Sequence, residues 1–132
     1  MAQTITKGIK ALLKEAGAVV DTLSVEEAKG LYDNPGYVFV DLRDIRELQR
    51  SGMIPGAFSC PRGMLEFWID PESPYHKAVF NQDKTYVFYC ASAWRSALSA
   101  KVAQEMGLKP VMHMEGGFTE WVKQDGPVIE KS

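Results

Sequence analysis

The chain has 132 residues, 45% hydrophobic and 24% charged, which is the composition of one globular domain with a proper core. Its 15 basic and 17 acidic residues leave a formal net charge of -2, so no polybasic field invites nucleic acid or an anionic membrane surface. No apolar run approaches the roughly 20 residues of a membrane span, and the start lacks the continuous apolar core of a secretory signal. Two cysteines, Cys60 and Cys90, make neither a metal cluster nor a disulfide framework; free thiols suit a reducing compartment, and the cytoplasm is the expected location.

Between Ile5 and Ala16 the residues Ile5, Ile9, Leu12 and Leu13 share one helical face and Lys7, Lys10 and Lys14 lie off it, which predicts a packing helix ended by Gly17. A lysine-rich amphipathic start also describes some targeting peptides, but the lack of arginine and the presence of Glu15 argue against that reading. Val19-Val20-Asp21 is a short strand candidate. Ser24-Val25-Glu26-Glu27 has the form of a capping box and predicts a helix to about Tyr32, stopped by Asn34-Pro35-Gly36. The continuous apolar run from Tyr37 to Leu42 suits a parallel strand covered on both faces. Asp41 and Arg43 stand at its carboxyl end, the edge where open α/β sheets bind ligands, so they either support a site there or form an ion pair that shapes the turn.

A short helix is expected from Ile45 to Arg50, closed by Ser51-Gly52. Turn chemistry through Met53-Ile54-Pro55-Gly56-Ala57 leads into a brief strand at Phe58-Ser59-Cys60, ended by Pro61. Cys60, inside that strand, reads as a small buried hydrophobe, with a resolving thiol for Cys90 as the alternative. Arg62 to Ile69 reads as a helix, Asp70 to Pro74 as a loop and Tyr75 to Phe80 as a further helical turn. His76 and His113 have no partners at ligand spacing, so surface or packing roles fit them better than a metal.

The densest chemistry lies in Tyr86-Val87-Phe88-Tyr89-Cys90-Ala91-Ser92-Ala93-Trp94-Arg95-Ser96. The short β-branched and aromatic run predicts a buried strand, and Ala97, Leu98, Val102 and Met106 recur at helical spacing behind it. A strand, loop and helix in immediate succession can aim several backbone N–H groups at one spot near the positive end of the helix. Cys90 at the head of that cradle, close to Arg95, has the setting of a thiolate nucleophile. Gly107 and Pro110 then mark a turn before a last strand at Val111-Met112-His113-Met114. The double glycine of Glu115-Gly116-Gly117 lets the backbone turn sharply and approach a neighbouring loop, and Phe118 to Val122 forms a short helix. Met106, Met112, Met114, Phe118 and Trp121 read as core. Strands alternating with helices predict an α/β domain, a mostly parallel sheet with helices on both faces and the cysteine loop at its carboxyl edge.

Four motifs occur in order: Asp41-Leu42-Arg43 with Glu47; Gly52-Met53-Ile54-Pro55-Gly56-Ala57; Cys90-Ala91-Ser92-Ala93-Trp94-Arg95-Ser96; and Gly116-Gly117 with Trp121. Together the chain resembles the single-domain rhodanese-like sulfurtransferases from about Leu23 to Val128. The resemblance implies a three-layer rhodanese-like domain over residues 19–132, preceded by a helical extension over 1–18. It implies that Cys90 takes a sulfane sulfur from a donor such as thiosulfate and passes it to a thiophilic acceptor such as cyanide or a protein thiol. Ala91, Ser92, Ala93, Trp94, Arg95 and Ser96 would hold the donor, Asp41 and Arg43 would support them, and neither cofactor nor metal is implied. Two positions depart from the pattern, Met53 where histidine is common and Ala93 where glycine is common; alanine tolerates poorly the backbone angles glycine allows there.

Two other readings compete. In related cysteine phosphatases and arsenate reductases, cysteine and arginine enclose five residues; Cys90 and Arg95 enclose four, a loop expected to be too tight for tetrahedral phosphate. A non-catalytic interaction module would be marked by loss of the cysteine, and Cys90 is present. Arg95 is the loop's only cation, so recognition of a dianionic donor is expected to fall on it. Trp94 is expected either to pack into the domain or to offer an aromatic surface at the pocket mouth.

Overall fold

The computed structural model describes residues 2–131. Five parallel strands form one sheet in the order β1-β5-β4-β2-β3: β1 (Asp21–Leu23), β2 (Tyr37–Asp41), β3 (Phe58–Ser59), β4 (Thr85–Tyr89) and β5 (Val111–Met114). The helices between them are α1 (Ile9–Val19), α2 (Val25–Lys29), α3 (Ile45–Ser51), α4 (Leu65–Ile69), α5 (Trp94–Met106) and α6 (Gly117–Lys123). Alternation along each strand splits the core in two. Val40, Tyr86, Phe88 and Val111 pack on one face with Leu65 and Ile69 of α4 and Ala100 and Ala103 of α5. Phe39, Val87, Tyr89 and Met114 pack on the other with Val25 and Ala28 of α2 and Phe118 and Trp121 of α6. The α/β architecture with helices on both faces is thus the observed one. No helix among the described residues is long and apolar enough to cross a membrane.

Strand β4 is central, pairing with β2 from Tyr37↔Thr85 to Asp41↔Tyr89 and with β5 from Tyr86↔Val111 to Phe88↔His113. Its carboxyl end therefore opens between two neighbours, and the Cys90 loop leaves the sheet there. The Ser24–Glu27 capping box forms as expected, with Ser24 Oγ accepting from Glu27 N–H at 3.0 Å and Glu27 Oε1 from Ser24 N–H at 3.0 Å.

Local expectations fail where tertiary pairing decides. The first helix runs through Gly17 to Val19, and its start lies at Ile9 rather than Ile5. Gly17 has open space around it, and a glycine facing solvent inside a helix costs only about 1 kcal/mol. The packing face is also narrower than expected: Ile5, Ile9 and Leu12 are exposed, and Ala16 is the buried residue of the helix. The first strand is not Val19 to Asp21 but Asp21–Leu23, because that stretch aligns with Met112–Met114 of β5. The expected helix from Arg62 to Ile69 divides into a 3-10 turn at Arg62–Met64 and α4, and the expected turn from Tyr75 to Phe80 narrows to a 3-10 turn at Ala78–Phe80. The α-helix opened by Ser24 ends at Lys29, before Tyr32. Met106 is exposed at the last turn of α5 and is not core, whereas Met114, Phe118 and Trp121 are.

Candidate active site

The loop after β4 wraps its own cysteine. Cys90 Sγ accepts the N–H of Ala93 at 3.2 Å and that of Ser96 at 3.4 Å, so two backbone donors converge on one sulfur that is 1% exposed. This is the cradle expected from a strand, loop and helix in succession. Ala93 makes the turn. It sits at φ 84° and ψ -8°, the left-handed region that costs alanine about 1–2 kcal/mol and glycine almost nothing. The departure from glycine read in the sequence is therefore a real strain at the point where the loop enters α5.

The loop is gripped from the opposite side by α6. Phe118 N–H donates to Cys90 O at 2.7 Å and Thr119 N–H to Ala91 O at 3.1 Å. Such an approach leaves no room for a side chain: a β-carbon on Gly117, at φ 63°, would stand 2.6 Å from Cys90 O and from the Ala91 carbonyl. The double glycine thus does what its position suggested. Ser92 and Trp94 face outward, Trp94 with 54% of its surface exposed, so its side chain is not packed into the domain. Ala91 is half-buried, and Ser96 is fully buried beneath the turn.

Arg95 meets Glu47 across 48 positions of sequence, with Nη1 donating to Oε2 and Nη2 to Oε1, both at 2.8 Å. The planar guanidinium matches the two carboxylate oxygens, which is the strong form of this pair. Glu47 is held at about 2, first by the Arg95 hydrogen bonds, against its burial and with help from the Asp44 amide. The cation is held above its ordinary value, chiefly by Glu47, with Cys90 and Asp44 adding to the pull. The sequence expects Arg95 to meet an anionic donor; in the fold two of its five N–H donors are engaged by the Glu47 carboxylate. Glu47 follows Asp44 in a second capping box at the start of α3, a local pattern that says nothing of its distant arginine.

Asp41 and Arg43 form the buried pair that shapes a turn. Arg43 Nε and Nη2 donate to Asp41 Oδ1 and Oδ2 at 3.0 and 2.8 Å, Nη2 also reaches Gly52 O, and the guanidinium lies 4.1 Å over the Phe118 ring. Burial pulls the Arg43 cation down, and Asp41, with smaller help from Tyr89 and Glu47, more than restores it. Phe118 and Tyr89, the rings beneath the guanidinium, belong to the α2 and α6 side of the core, whereas Cys90 packs with α4 and α5, so the pair braces the strand end and reaches the loop only through its pull on Glu47. Cys60 is fully buried and burial pushes its thiol up to about 12, as a small core residue requires. His76 Nδ1 lies 3.0 Å from Trp68 O. His113, expected at the surface or in packing, is buried on β5 with Nδ1 3.1 Å from Ser96 Oγ, a contact no local pattern announced. Among the described residues no three histidine, cysteine or carboxylate side chains are grouped to hold a metal ion.

The family model of the rhodanese-like domain matches residues 24–124. The chain belongs to the rhodanese-like domain family. A Bacillus subtilis protein provisionally named as a sulfurtransferase is 30% identical over 115 residues, spanning 87% of this rhodanese-like chain and 96% of its own. The human single-domain sulfurtransferase shares the fold at 24% identity, with a TM-score of 0.67 over 80% of this chain and 97% of that one. A Rhodopseudomonas palustris protein of unknown function, described as a possible tyrosine phosphatase, is 57% identical with a TM-score of 0.95 over 98% and 99% of the two chains.

Proposed function

We propose that the protein is a sulfurtransferase that carries sulfane sulfur as a persulfide on Cys90. The thiolate attacks the outer sulfur of a donor, thiosulfate or a persulfide; the donor's S–S bond breaks, and sulfite or the donor thiolate leaves with the electron pair. A thiophilic acceptor, cyanide or a thiol, then attacks that same sulfur and the Cys90 thiolate is regenerated. The observation that carries this reading is the pair of amides on Cys90 Sγ, which can hold negative charge at the cysteine and on one further sulfur bound to it. The exposed Trp94 beside the loop supports a donor or acceptor thiol presented by a protein, and the commitment of Arg95 to Glu47 weakens the case for thiosulfate as the preferred donor.

A phosphatase reading has one finding behind it, the description of the Rhodopseudomonas palustris protein. Against it stand the four residues enclosed by Cys90 and Arg95 and the Glu47 carboxylate, which offsets the Arg95 charge that a tetrahedral phosphate dianion would need. One preparation assayed for thiosulfate sulfurtransfer, persulfide sulfurtransfer and aryl-phosphate hydrolysis separates the two. Mass spectrometry after donor treatment is expected to find one added sulfur on Cys90, and Cys90→Ser is expected to abolish transfer. Dominant phosphatase activity that depends on Cys90 would replace this reading.

A further inference from the structure

We propose that His113 is a positioning residue for the Cys90 loop: through the Ser96 hydroxyl it braces the carbonyl of Ala93 and so holds the left-handed turn that aims two amides at the sulfur. The inference rests on Cys90 as the reacting atom. Ser96 Oγ lies 3.1 Å from Ala93 O and 3.1 Å from His113 Nδ1, with Ser96 fully buried and His113 8% exposed. A serine hydroxyl has a single proton, and a carbonyl only accepts. The Ser96 proton therefore goes to Ala93 O, and the imidazole must supply the other proton from Nδ1, which selects the Nδ1–H tautomer. With the opposite tautomer the serine proton would turn to the ring and face Ala93 O with a lone pair. Burial keeps the ring below its ordinary value, opposed by Glu115, which agrees with a neutral imidazole bearing one N–H.

The brace acts where it is needed. Ala93 O accepts both Ser96 Oγ–H and Ala97 N–H, and Ala93 N–H donates to Cys90 Sγ, so carbonyl and amide of one strained residue are tied at both ends. Glycine would hold this conformation unaided; alanine depends on its anchors, and without Ser96 only the Ala97 N–H is left on the carbonyl to keep the Ala93 amide on the sulfur. His113 thus compensates for the residue that stands at position 93.

The test is a double-mutant comparison read on the sulfur itself, as the second-order rate of Cys90 alkylation by iodoacetamide, with the site confirmed by peptide mass spectrometry. His113→Phe and Ser96→Ala are each expected to slow it about tenfold, as loss of a hydrogen bond of ~1.4 kcal/mol would. His113→Asn, which keeps an N–H near the place of Nδ1, retains most of the rate. In an Ala93→Gly background the same two substitutions are expected to have little effect, because glycine needs no brace. Equal losses in both backgrounds, or no loss in either, would overturn the proposal. Should His113→Phe fail to fold, the Ser96→Ala pair, which removes a single oxygen, decides on its own. Alkylation that follows this pattern without any sulfur transfer would sink the sulfurtransferase reading and leave the brace standing.

Discussion

Glu47→Gln tests how the loop's only cation is used. The carboxylate of Glu47 takes three donors, Nη1 and Nη2 of Arg95 at 2.8 Å and the Asp44 amide at 2.9 Å. Glutamine can still accept from Asp44, but it loses the charge and turns an N–H group toward the guanidinium. The fall of Glu47 from 4.5 to about 2 sets an upper limit of roughly 3 kcal/mol on what the folded surroundings give the ionised form. Part of that belongs to Asp44, and the Arg95 side chain is 41% exposed, so solvent screening reduces the pair's own share to about 1–2 kcal/mol. Urea unfolding at pH 7 should show a loss of that size in Glu47→Gln. The sign with pH is fixed by a folded value below the unfolded one: the contribution is complete above about 4.5 and is lost as pH falls toward 2, with more than half gone by about pH 3. The difference between wild type and variant should therefore shrink on acidification. It also follows that a released Arg95 should lower the KM for thiosulfate while leaving that for an uncharged persulfide donor little changed. No stability difference at pH 7, or one that persists undiminished at low pH, would refute the reasoning.

Gly117→Ala should cost about 2 kcal/mol or more, from a left-handed φ and a β-carbon 2.6 Å from the Cys90 and Ala91 carbonyls, and sulfur transfer should fall further than the folded fraction does; thermal unfolding with activity on the same samples checks it. Cys60→Ala should retain turnover with a stability loss of about 1 kcal/mol, since its thiol is pushed up to about 12 and packs as a hydrophobe; loss of turnover in a folded variant would require a relay between two thiols.

The fold was most legible where burial acts along the chain. Tyr37–Val40 and Tyr86–Tyr89 are continuous apolar runs, and Val111–Met114 is apolar but for His113, because a parallel strand is covered on both faces, and each strand lies within a residue of its expected bounds. The amino-terminal elements were not, because their limits depend on a partner: Val20 points into the core but takes no part in pairing, and β1 begins only where Asp21 meets Met112. The site divides the same way. The order of strand, cysteine, loop and helix is a local statement and could be read directly. Glu47 with Arg95 and Ser96 with His113 join residues 48 and 17 positions apart, and periodicity does not say which polar side chains meet once a sheet has assembled.

The contrast between the two cysteines shows what local sequence does carry. Both follow short strands, both are buried to within 1%, and each has an arginine close behind it, so neither burial nor nearby charge separates them. What separates them is the supply of free amides. After Cys60 comes Pro61, which has no N–H; Arg62 gives its amide to Leu42 O and Met64 gives its own to Pro61 O, and among the described residues no backbone amide donates to that sulfur. After Cys90 come small residues with every amide present, a left-handed turn at Ala93 that points two of them back, and a helix whose first turn has N–H groups without partners of their own. A proline in one case and an alanine forced into the place of glycine in the other decide which sulfur meets backbone donors and which is only packed.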